Sequence, residues 1–313
     1  MALADTPGSY GRVGRFRMPP GGRRLSLGSV PPPTLILLGI VSVQVGAGLA
    51  KNLFTQLSPD AIVMMRLLTS AVILGITCRS TLRGLRRLHS WRDVGVAVLF
   101  GLALAGMNFS FYQALARIPL GVAVTIEFLG PLSVSIVASR RRLDLLWALL
   151  ALGGVVMLAR SGGDVMFSGV AFALLAAAGW AGYILLSGAT GQRFSGSSGL
   201  AIASIAGAAV MLPVGIGSAG STLLDPELLV LAIGVGLLSS VIPYTLELEA
   251  LRRVPARLFG ILMSLEPAVG ALVGLVFLGE VLRWREWLAI GLVIAACVGA
   301  TRFQKSPPEA PEA

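Results

Sequence analysis

ALARIP, residues 114–119, recurs 136 positions further along the chain as ALRRVP, residues 250–255. In both copies a second proline follows 12 residues after the first, at Pro131 and at Pro267. A motif and a proline that keep their spacing in two places indicate duplication within the chain. The two matches predict that the chain consists of two copies of one structural unit.

The composition is typical of a membrane protein. Of the 313 residues, 55% are hydrophobic and 13% are charged, whereas soluble domains average about 45–50% apolar and about 25% charged residues. The net charge is +10. In a soluble protein this charge would suggest nucleic-acid binding, so the basic residues have to be placed relative to the apolar segments.

Ten apolar runs are candidates for crossing a lipid bilayer, which takes roughly 17–25 helical residues. They are Thr34–Ala50, Ala61–Cys78, Val94–Ala116, Ile118–Ser139, Leu145–Ala159, Val165–Leu186, Leu200–Leu224, Leu228–Leu246, Leu258–Gly279 and Trp287–Thr301. The fifth and tenth runs are short and need their flanking residues. Because each copy holds an odd number of helices, the second enters the membrane in the opposite sense to the first. We therefore predict an all-α membrane protein with ten transmembrane helices in two inverted five-helix repeats.

The predicted organisation has four parts. A basic tail rich in glycine and proline, residues 1–32, is expected to be disordered, and the two repeats cover residues 33–160 and 165–302. Residues 303–313 form a second short tail. With both termini on one side, 19 of the 25 basic residues fall on that side and five on the other. By the positive-inside rule both tails are cytoplasmic, and the charge reflects topology rather than binding to nucleic acid.

Four charged residues lie inside predicted spans: Arg66, Glu127, Glu247 and Glu266. Ionisable groups are costly within a bilayer and often mark transport pathways. By helical rise, Arg66 and Glu127 both lie roughly 9 Å below the outer surface. They form either a static ion pair or a cavity site in which Arg66 binds a substrate carboxylate and Glu127 an ammonium group or a coupling proton. Glu266 is a midplane site or a polar anchor at a kink, and Glu247 is a pathway residue or a solvated helix end.

Further polar and aromatic residues within the spans are candidates for lining a cavity or, alternatively, for ordinary packing. These are Asn108, Tyr112, Trp180, Tyr183 and Tyr244. Pro131 and Pro267 are expected to kink their helices.

Enzymatic function is not indicated by the sequence. It contains no Gly-x-Ser-x-Gly turn, no His-Glu-x-x-His motif and no phosphate-binding loop. The single histidine, His89, has no second histidine with which to share a metal, and Cys78 and Cys297 are typical of small apolar residues. We expect neither a metal nor another cofactor. Without an ATP-binding motif, a transporter of this kind is a secondary carrier.

Six stretches resemble a known family of carriers. They are QVGAGLAKNLF (44–54), MNFSFYQALARIPLGVAVTIEFLGPLSV (107–134), SRR (139–141), WAGYIL (180–185), IPYTLELEAL (242–251) and FGILMSLEPAVGALVGLVFLGE (259–280). The chain resembles the drug/metabolite transporter superfamily with two EamA-type repeats, and more closely its bacterial threonine/homoserine exporter branch. Glu127 and Pro131 match the Glu-Phe-x-Gly-Pro pattern of that branch, and Arg66 matches its Arg-Leu pair. Glu247 matches Pro-Tyr-x-Leu-Glu, and Glu266 matches Met-Ser-x-Glu-Pro.

The resemblance implies a bacterial inner-membrane exporter of small neutral amino acids such as threonine and homoserine, working by proton antiport. Its expected partners are an amino-acid substrate, protons and the lipid bilayer, while the oligomeric state is left open. An exporter of another metabolite or drug is the alternative within transport. A membrane scaffold or sensor without solute flux is the alternative of another class.

Overall fold

The computed structural model describes residues 30–79, 82, 90–138, 142–160, 165–194, 197–220, 222, 225–251, 253–254 and 256–302. Residues 1–29 of the predicted first tail, all of the predicted second tail and His89 lie outside these ranges.

The described residues form ten helical units joined by short connections. Seven are single helices: α1 (Pro32–Leu53), α2 (Pro59–Thr77), α3 (Trp91–Leu115), α5 (Arg142–Ala159), α6 (Phe167–Gly191), α7 (Ser198–Ala219) and α10 (Trp284–Arg302). Three are interrupted: α4 (Leu120–Glu127 and Leu129–Ala138), α8 (Pro226–Gly236, a π-helical segment Leu237–Val241, and Ile242–Leu251) and α9 (Ala256–Met263 and Glu266–Leu278). Within the described ranges, nine units are long and apolar enough to cross a membrane, and α5 contributes a shorter apolar stretch, Leu145–Ala159. The all-helical fold predicted from the sequence is confirmed, and flanking residues extend the short fifth and tenth runs.

The interruptions of α4 and α9 occur at equivalent places in the two halves of the chain. A proline has no N–H to donate to the carbonyl four residues earlier, which loosens the helix there. The first segment of α4 ends at Glu127, four residues before Pro131, and the first segment of α9 ends at Met263, four residues before Pro267. Each proline therefore lies just after the break in its helix.

The packing of the helices repeats the symmetry of the sequence. The most extensive contacts include three pairs of helices at equivalent positions in the two halves: α2 with α7, α4 with α9, and α5 with α10. The other extensive contacts come in matched sets, namely α3–α6 with α8–α1, α3–α7 with α8–α2, and α4–α6 with α9–α1. Exchanging each helix with the one five positions away in the chain leaves this set unchanged, as two copies of one unit require.

Contacts between helix ends show which ends lie together at each end of the bundle. Lys51 Nζ donates to the carbonyl oxygen of Ile118 at 2.7 Å, so the end of α1 lies beside the start of α4. At the opposite end, Arg193 forms an ion pair with Asp93 at 3.3 Å, which places the end of α6 beside the start of α3. We refer to these as the Lys51 end and the Arg302 end. Neighbouring helices in the chain run in alternate directions between them.

Glycines allow the closest approaches between helices. A Cβ built on Gly121 of α4 would lie 2.6 Å from the Cα of Ala271 in α9. A Cβ built on Gly101 of α3 would lie 3.0 Å from the Cα of Ala203 in α7 and would collide with the carbonyl oxygen of that residue. A backbone cannot move aside as a flexible side chain can, so these contacts depend on glycine.

We predict that Gly101→Ala destabilises the bundle, whereas Gly106→Ala on the same helix does not. A Cβ at Gly106 meets no heavy atom within 4 Å, so that variant gains helix propensity without a collision. For Gly101→Ala the forced separation of α3 and α7 is expected to lower the free energy of unfolding by roughly 1–3 kcal/mol. Thermal unfolding of both purified variants in detergent measures the difference. Equal melting temperatures would contradict the described contact.

Candidate functional site

One cavity of about 530 Å³ lies between the two halves of the bundle. Eight of the ten helical units contribute to its wall, all except α5 and α7. Pockets for small molecules usually fall between about 300 and 1,000 Å³. The cavity therefore has the size for one small solute.

Most of the residues predicted from the sequence lie on the wall of this cavity. These are Arg66, Asn108, Glu127, Pro131, Trp180, Tyr183, Tyr244, Glu247 and Glu266. Tyr112 and Pro267 are buried behind the wall instead. Helices distant in the sequence thus bring all four charged side chains of the predicted spans to one space.

The guanidinium of Arg66 is held by neutral groups. Its Nε donates to Ser240 Oγ at 3.0 Å, and Nη2 donates to the carbonyl oxygen of Ser239 at 2.8 Å. Nη1 lies 3.5 Å from the hydroxyl of Tyr112. Among the described residues Arg66 forms no ion pair with Glu127, so the static pair that the sequence allowed is absent from this conformation. The positive charge lies on a side chain that is only 9% exposed, and no described residue forms an ion pair with it.

The π-helical segment of α8 provides the acceptors for Arg66. A π-turn shifts the backbone hydrogen bonds by one residue and commonly marks a functional site. Here the carbonyl of Ser239 accepts from Arg66 and that of Leu238 accepts from Ser42 of α1 at 2.7 Å. Gly46 of α1 leaves the room beside Ser239, since a Cβ there would collide with the serine side chain. Sequence reasoning did not predict this segment, which has neither a proline nor a charge.

Two of the three cavity carboxylates lie at helix breaks but on opposite sides of them. Glu127 ends the first segment of α4, a position where the helix dipole favours a positive partner. Glu266 begins the second segment of α9, where the exposed N–H groups favour an anion. Glu127 and Glu266 are 8% and 7% exposed, so both are largely desolvated.

Glu247 lies one turn before the end of α8. Its side chain packs against α1, because a Cβ built on Gly39 would lie 3.4 Å from Glu247 Cγ. The helix continues to Leu251 and the side chain lines the cavity. Glu247 thus lies on the cavity wall. The sequence had also allowed it to be a solvated residue at a helix end.

Gln44 is a cavity residue that the sequence analysis missed. It is 1% exposed, and its Nε2 donates to Glu266 Oε1 at 3.0 Å. The available signal was a long amide side chain in the middle of an apolar helix.

Aromatic rings form the apolar wall of the cavity. Trp180 meets Phe128 edge to face at a centroid distance of 5.1 Å, and Tyr183 packs against Phe100 at 5.1 Å. The side-chain amide of Asn108 donates to the carbonyl of Leu104 at 2.8 Å, within its own helix. The cavity combines an apolar wall with a few fixed polar groups, as small-molecule sites usually do.

The cavity extends towards the Arg302 end. Its wall includes Thr301, one residue before the end of α10, and Gly260 near the start of α9. In the described part of the chain, no lining residue belongs to the terminal turn of a helix at the Lys51 end.

An ion pair closes the Lys51 end. Lys51 Nζ lies 2.6 Å from Glu280 Oε1, and the other oxygen of Glu280 accepts from the backbone N–H of Leu120 at 2.8 Å. Together with the bond from Lys51 to Ile118, these contacts tie the ends of α1 and α9 to the start of α4. We call Lys51, Glu280, Ile118 and Leu120 the latch.

A bundle of two equivalent halves around a charged cavity is the architecture of many membrane transporters. The comparisons with known proteins agree: the profile of the EamA-like transporter family matches residues 167–302. Threonine/homoserine exporter RhtA of Salmonella typhimurium (strain SL1344) is 39% identical over 285 residues, which cover 89% of this chain and 94% of that protein. The chain belongs to the EamA-like transporter family.

Other relatives support the same assignment. Threonine/homoserine exporter RhtA of Escherichia coli (strain K12) is 39% identical over 86% of this chain and 91% of its own length. Uncharacterized transporter YwfM of Bacillus subtilis (strain 168) is 31% identical over 50% of this chain and 55% of its own length. A solved crystal structure that is 20% identical aligns over 86% of this chain and 96% of its own, with a TM-score of 0.57. That likeness concerns the fold alone.

We predict that a cysteine at Ser135 is labelled by a maleimide, whereas one at Thr125 on the same helix is labelled far more slowly. Ser135 lines the cavity and is partly exposed, while Thr125 is fully buried. Both cysteines are introduced after replacing Cys78 and Cys297 by alanine, and labelling is followed by intact mass. Similar labelling rates at the two positions would contradict the placement of Ser135 on the wall of an accessible cavity.

Proposed function

We propose that the chain exports small neutral amino acids of the threonine and homoserine class across the bacterial inner membrane, by proton antiport and alternating access. The observation that carries the proposal is the presence of both a positive charge and negative charges on the wall of one cavity. A guanidinium, with which no described residue forms an ion pair, and three carboxylates face the same space. This is the complement of a zwitterion, whose two charges each need a partner away from bulk water.

The names of the relatives support the substrate class. Relatives that are 39% identical over most of the chain are named threonine/homoserine exporters. Small amino acids also suit the volume of the cavity, which the rings of Trp180 and Tyr183 limit on one side.

The orientation follows from the basic residues. The topology predicted from the sequence puts nineteen of the 25 basic residues on the side of the termini, so we place the Arg302 end in the cytoplasm and the Lys51 end outside. In this orientation the cavity extends towards the cytoplasm while the latch closes the outer side. An exporter loads its substrate in such a conformation.

We assign the carboxylate of the substrate to Arg66. Its guanidinium is already aligned by Ser239 and Ser240, so a carboxylate meets a preorganised donor. We assign the coupling proton to Glu127, which lies at a helix end that favours positive charge. Proton and substrate would then occupy the same cavity in alternate steps of the cycle.

Alternating access requires the Lys51 end to open. The latch is built from one partly exposed ion pair and two hydrogen bonds to backbone groups, which can be broken and remade at modest cost. The breaks in α4 and α9 provide hinges on the helices that the latch joins. Rocking of one half against the other would separate Gly121 from Ala271 and expose the cavity to the outside.

Transport itself is tested with purified protein in proteoliposomes. A panel of labelled amino acids, a few other metabolites and a cationic drug are loaded, and efflux is measured with and without a pH gradient. Threonine or homoserine efflux that accelerates with an opposing proton gradient supports the proposal. Flux of only the drug or other metabolites would transfer the function to the alternative exporter, and no flux at all would favour a scaffold or sensor.

We predict that Glu127→Gln lowers proton-driven threonine efflux by at least about tenfold, equivalent to roughly 1.4 kcal/mol. An amide keeps the shape of the side chain but cannot carry the proton. Glu249→Gln is the matched control, because Glu249 near the end of α8 forms an ion pair with Arg253, just beyond that helix, and does not line the cavity. Correct insertion of both variants is checked by gel filtration and by protease protection. Efflux of Glu127→Gln equal to that of Glu249→Gln would exclude Glu127 from the coupling.

We predict that Lys51→Met shifts the protein towards an outward-open form. If the ion pair contributes about 1 kcal/mol to the free energy of the form closed at the Lys51 end, losing it changes the ratio of the closed to the outward-open form roughly fivefold. A cysteine at Val124, which is buried between α4 and α9 here, reports opening through its labelling by an impermeant maleimide added outside. Arg285→Met removes the same charge at the same end without touching the latch and is the control. Identical labelling in the two variants would contradict the role of the latch.

A further inference from the structure

Two residues that line the cavity, Gln44 and Glu266, each have a fully buried oxygen that accepts no hydrogen bond from the described residues. Gln44 Nε2 donates to Glu266 Oε1, but Gln44 Oε1 and Glu266 Oε2 accept no hydrogen bond in the described structure. Buried polar atoms are almost always paired, so an unpaired acceptor marks a place where a hydrogen-bond donor would be strongly favoured. Here the two atoms belong to neighbouring side chains, and both are acceptors.

The chemistry of these acceptors determines which groups could bind them. A neutral amide oxygen and a carboxylate oxygen both require an N–H or O–H donor, and the carboxylate favours a positive one. An ammonium group offers three N–H donors and a full positive charge. Neither a second carboxylate nor an apolar group would satisfy the pair.

The position of α1 supports the same choice. Ser42 and Gly46 of α1 contact the π-helical segment that holds Arg66, whereas Gln44 contacts Glu266 of α9. The anion-binding and cation-binding groups are therefore arranged around one helix. Arg66, Gln44 and Glu266 line the same cavity, so a solute with a carboxylate and an ammonium group would find a candidate partner for each within it.

We propose that Gln44 and Glu266 form the subsite for the ammonium group of the substrate, with Gln44 as a determinant of specificity. Gln44 orients the Glu266 carboxylate through its amide N–H and offers its own carbonyl oxygen as a second acceptor. The proposal rests on the proposed export of amino acids, which it deepens by assigning the second pole of the zwitterion. Glu127 is left to carry the proton.

The test compares threonine with 2,3-dihydroxybutanoate, which keeps the carboxylate and the side-chain hydroxyl but has a hydroxyl in place of the ammonium group. Binding of each compound to purified full-length protein is measured by calorimetry. Wild-type protein is expected to prefer threonine by at least about tenfold, since a group built for a charged donor discriminates strongly against its absence. In Gln44→Met, a change of similar volume, threonine affinity is expected to fall about tenfold and that of the analogue to stay within about twofold.

Gln113→Met is the matched control. Gln113 lies near the end of α3, outside the cavity, and its side-chain amide donates to Asp60 of α2. It should leave both affinities unchanged. Should Gln44→Met fail to fold, Glu266→Gln carries the same test, since it keeps the shape of the side chain and removes the charge.

Unchanged threonine affinity, or an equal loss for both compounds, would overturn the subsite while leaving amino-acid export intact. Failure of wild-type protein to bind or transport any amino acid would overturn the proposed function as well. The preference between the two compounds, rather than affinity alone, separates a binding role for Gln44 from a merely structural one.

Discussion

The central constraint on this structure is a guanidinium inside an apolar bundle. Arg66 is only 9% exposed, and its hydrogen bonds go to Ser240, to the carbonyl of Ser239 and to Tyr112. A regular α-helix would use that carbonyl for its own ladder, so the π-helical segment of α8 is the local irregularity that makes it available. Irregular backbone inside a membrane is tolerated where it is buried in protein or lines a cavity, and both conditions hold here. The position of Arg66 in turn leaves a positive charge facing the cavity.

The two halves share a fold but divide the chemistry unequally. Their proline breaks are equivalent, yet Glu127 lies before the break of α4 and Glu266 after the break of α9. The π-helical segment occurs in α8, while its counterpart α3 runs as a continuous helix through the described residues. The repeat therefore accounts for the architecture, while residues that the two halves do not share place Arg66 beside α8 and put Glu127 and Glu266 on different sides of the equivalent breaks.

Much of the fold was predictable because its signals are local. Uncharged runs define the helices, and Pro131 and Pro267 remove specific backbone donors. The charged residues of the cavity were also accessible, since burial in lipid makes any ionisable group conspicuous. The sequence did not predict three other features, namely Gln44 in the cavity, the π-helical segment and the latch. An uncharged amide has a weak signal, a π-turn has no residue signature, and the pairing of Lys51 with Glu280 depends on packing between distant helices.

Helix α1 connects the cavity to the latch at the Lys51 end. Gln44 and Lys51 are seven residues apart, two turns or roughly 10 Å along the axis, so they share the face that meets α9. A straight helix transmits a tilt along its whole length, as a lever does. In the proposed cycle, a solute that displaces Gln44 from Glu266 would also strain the bond between Lys51 and Glu280, so that binding in the cavity would be linked mechanically to opening of the latch.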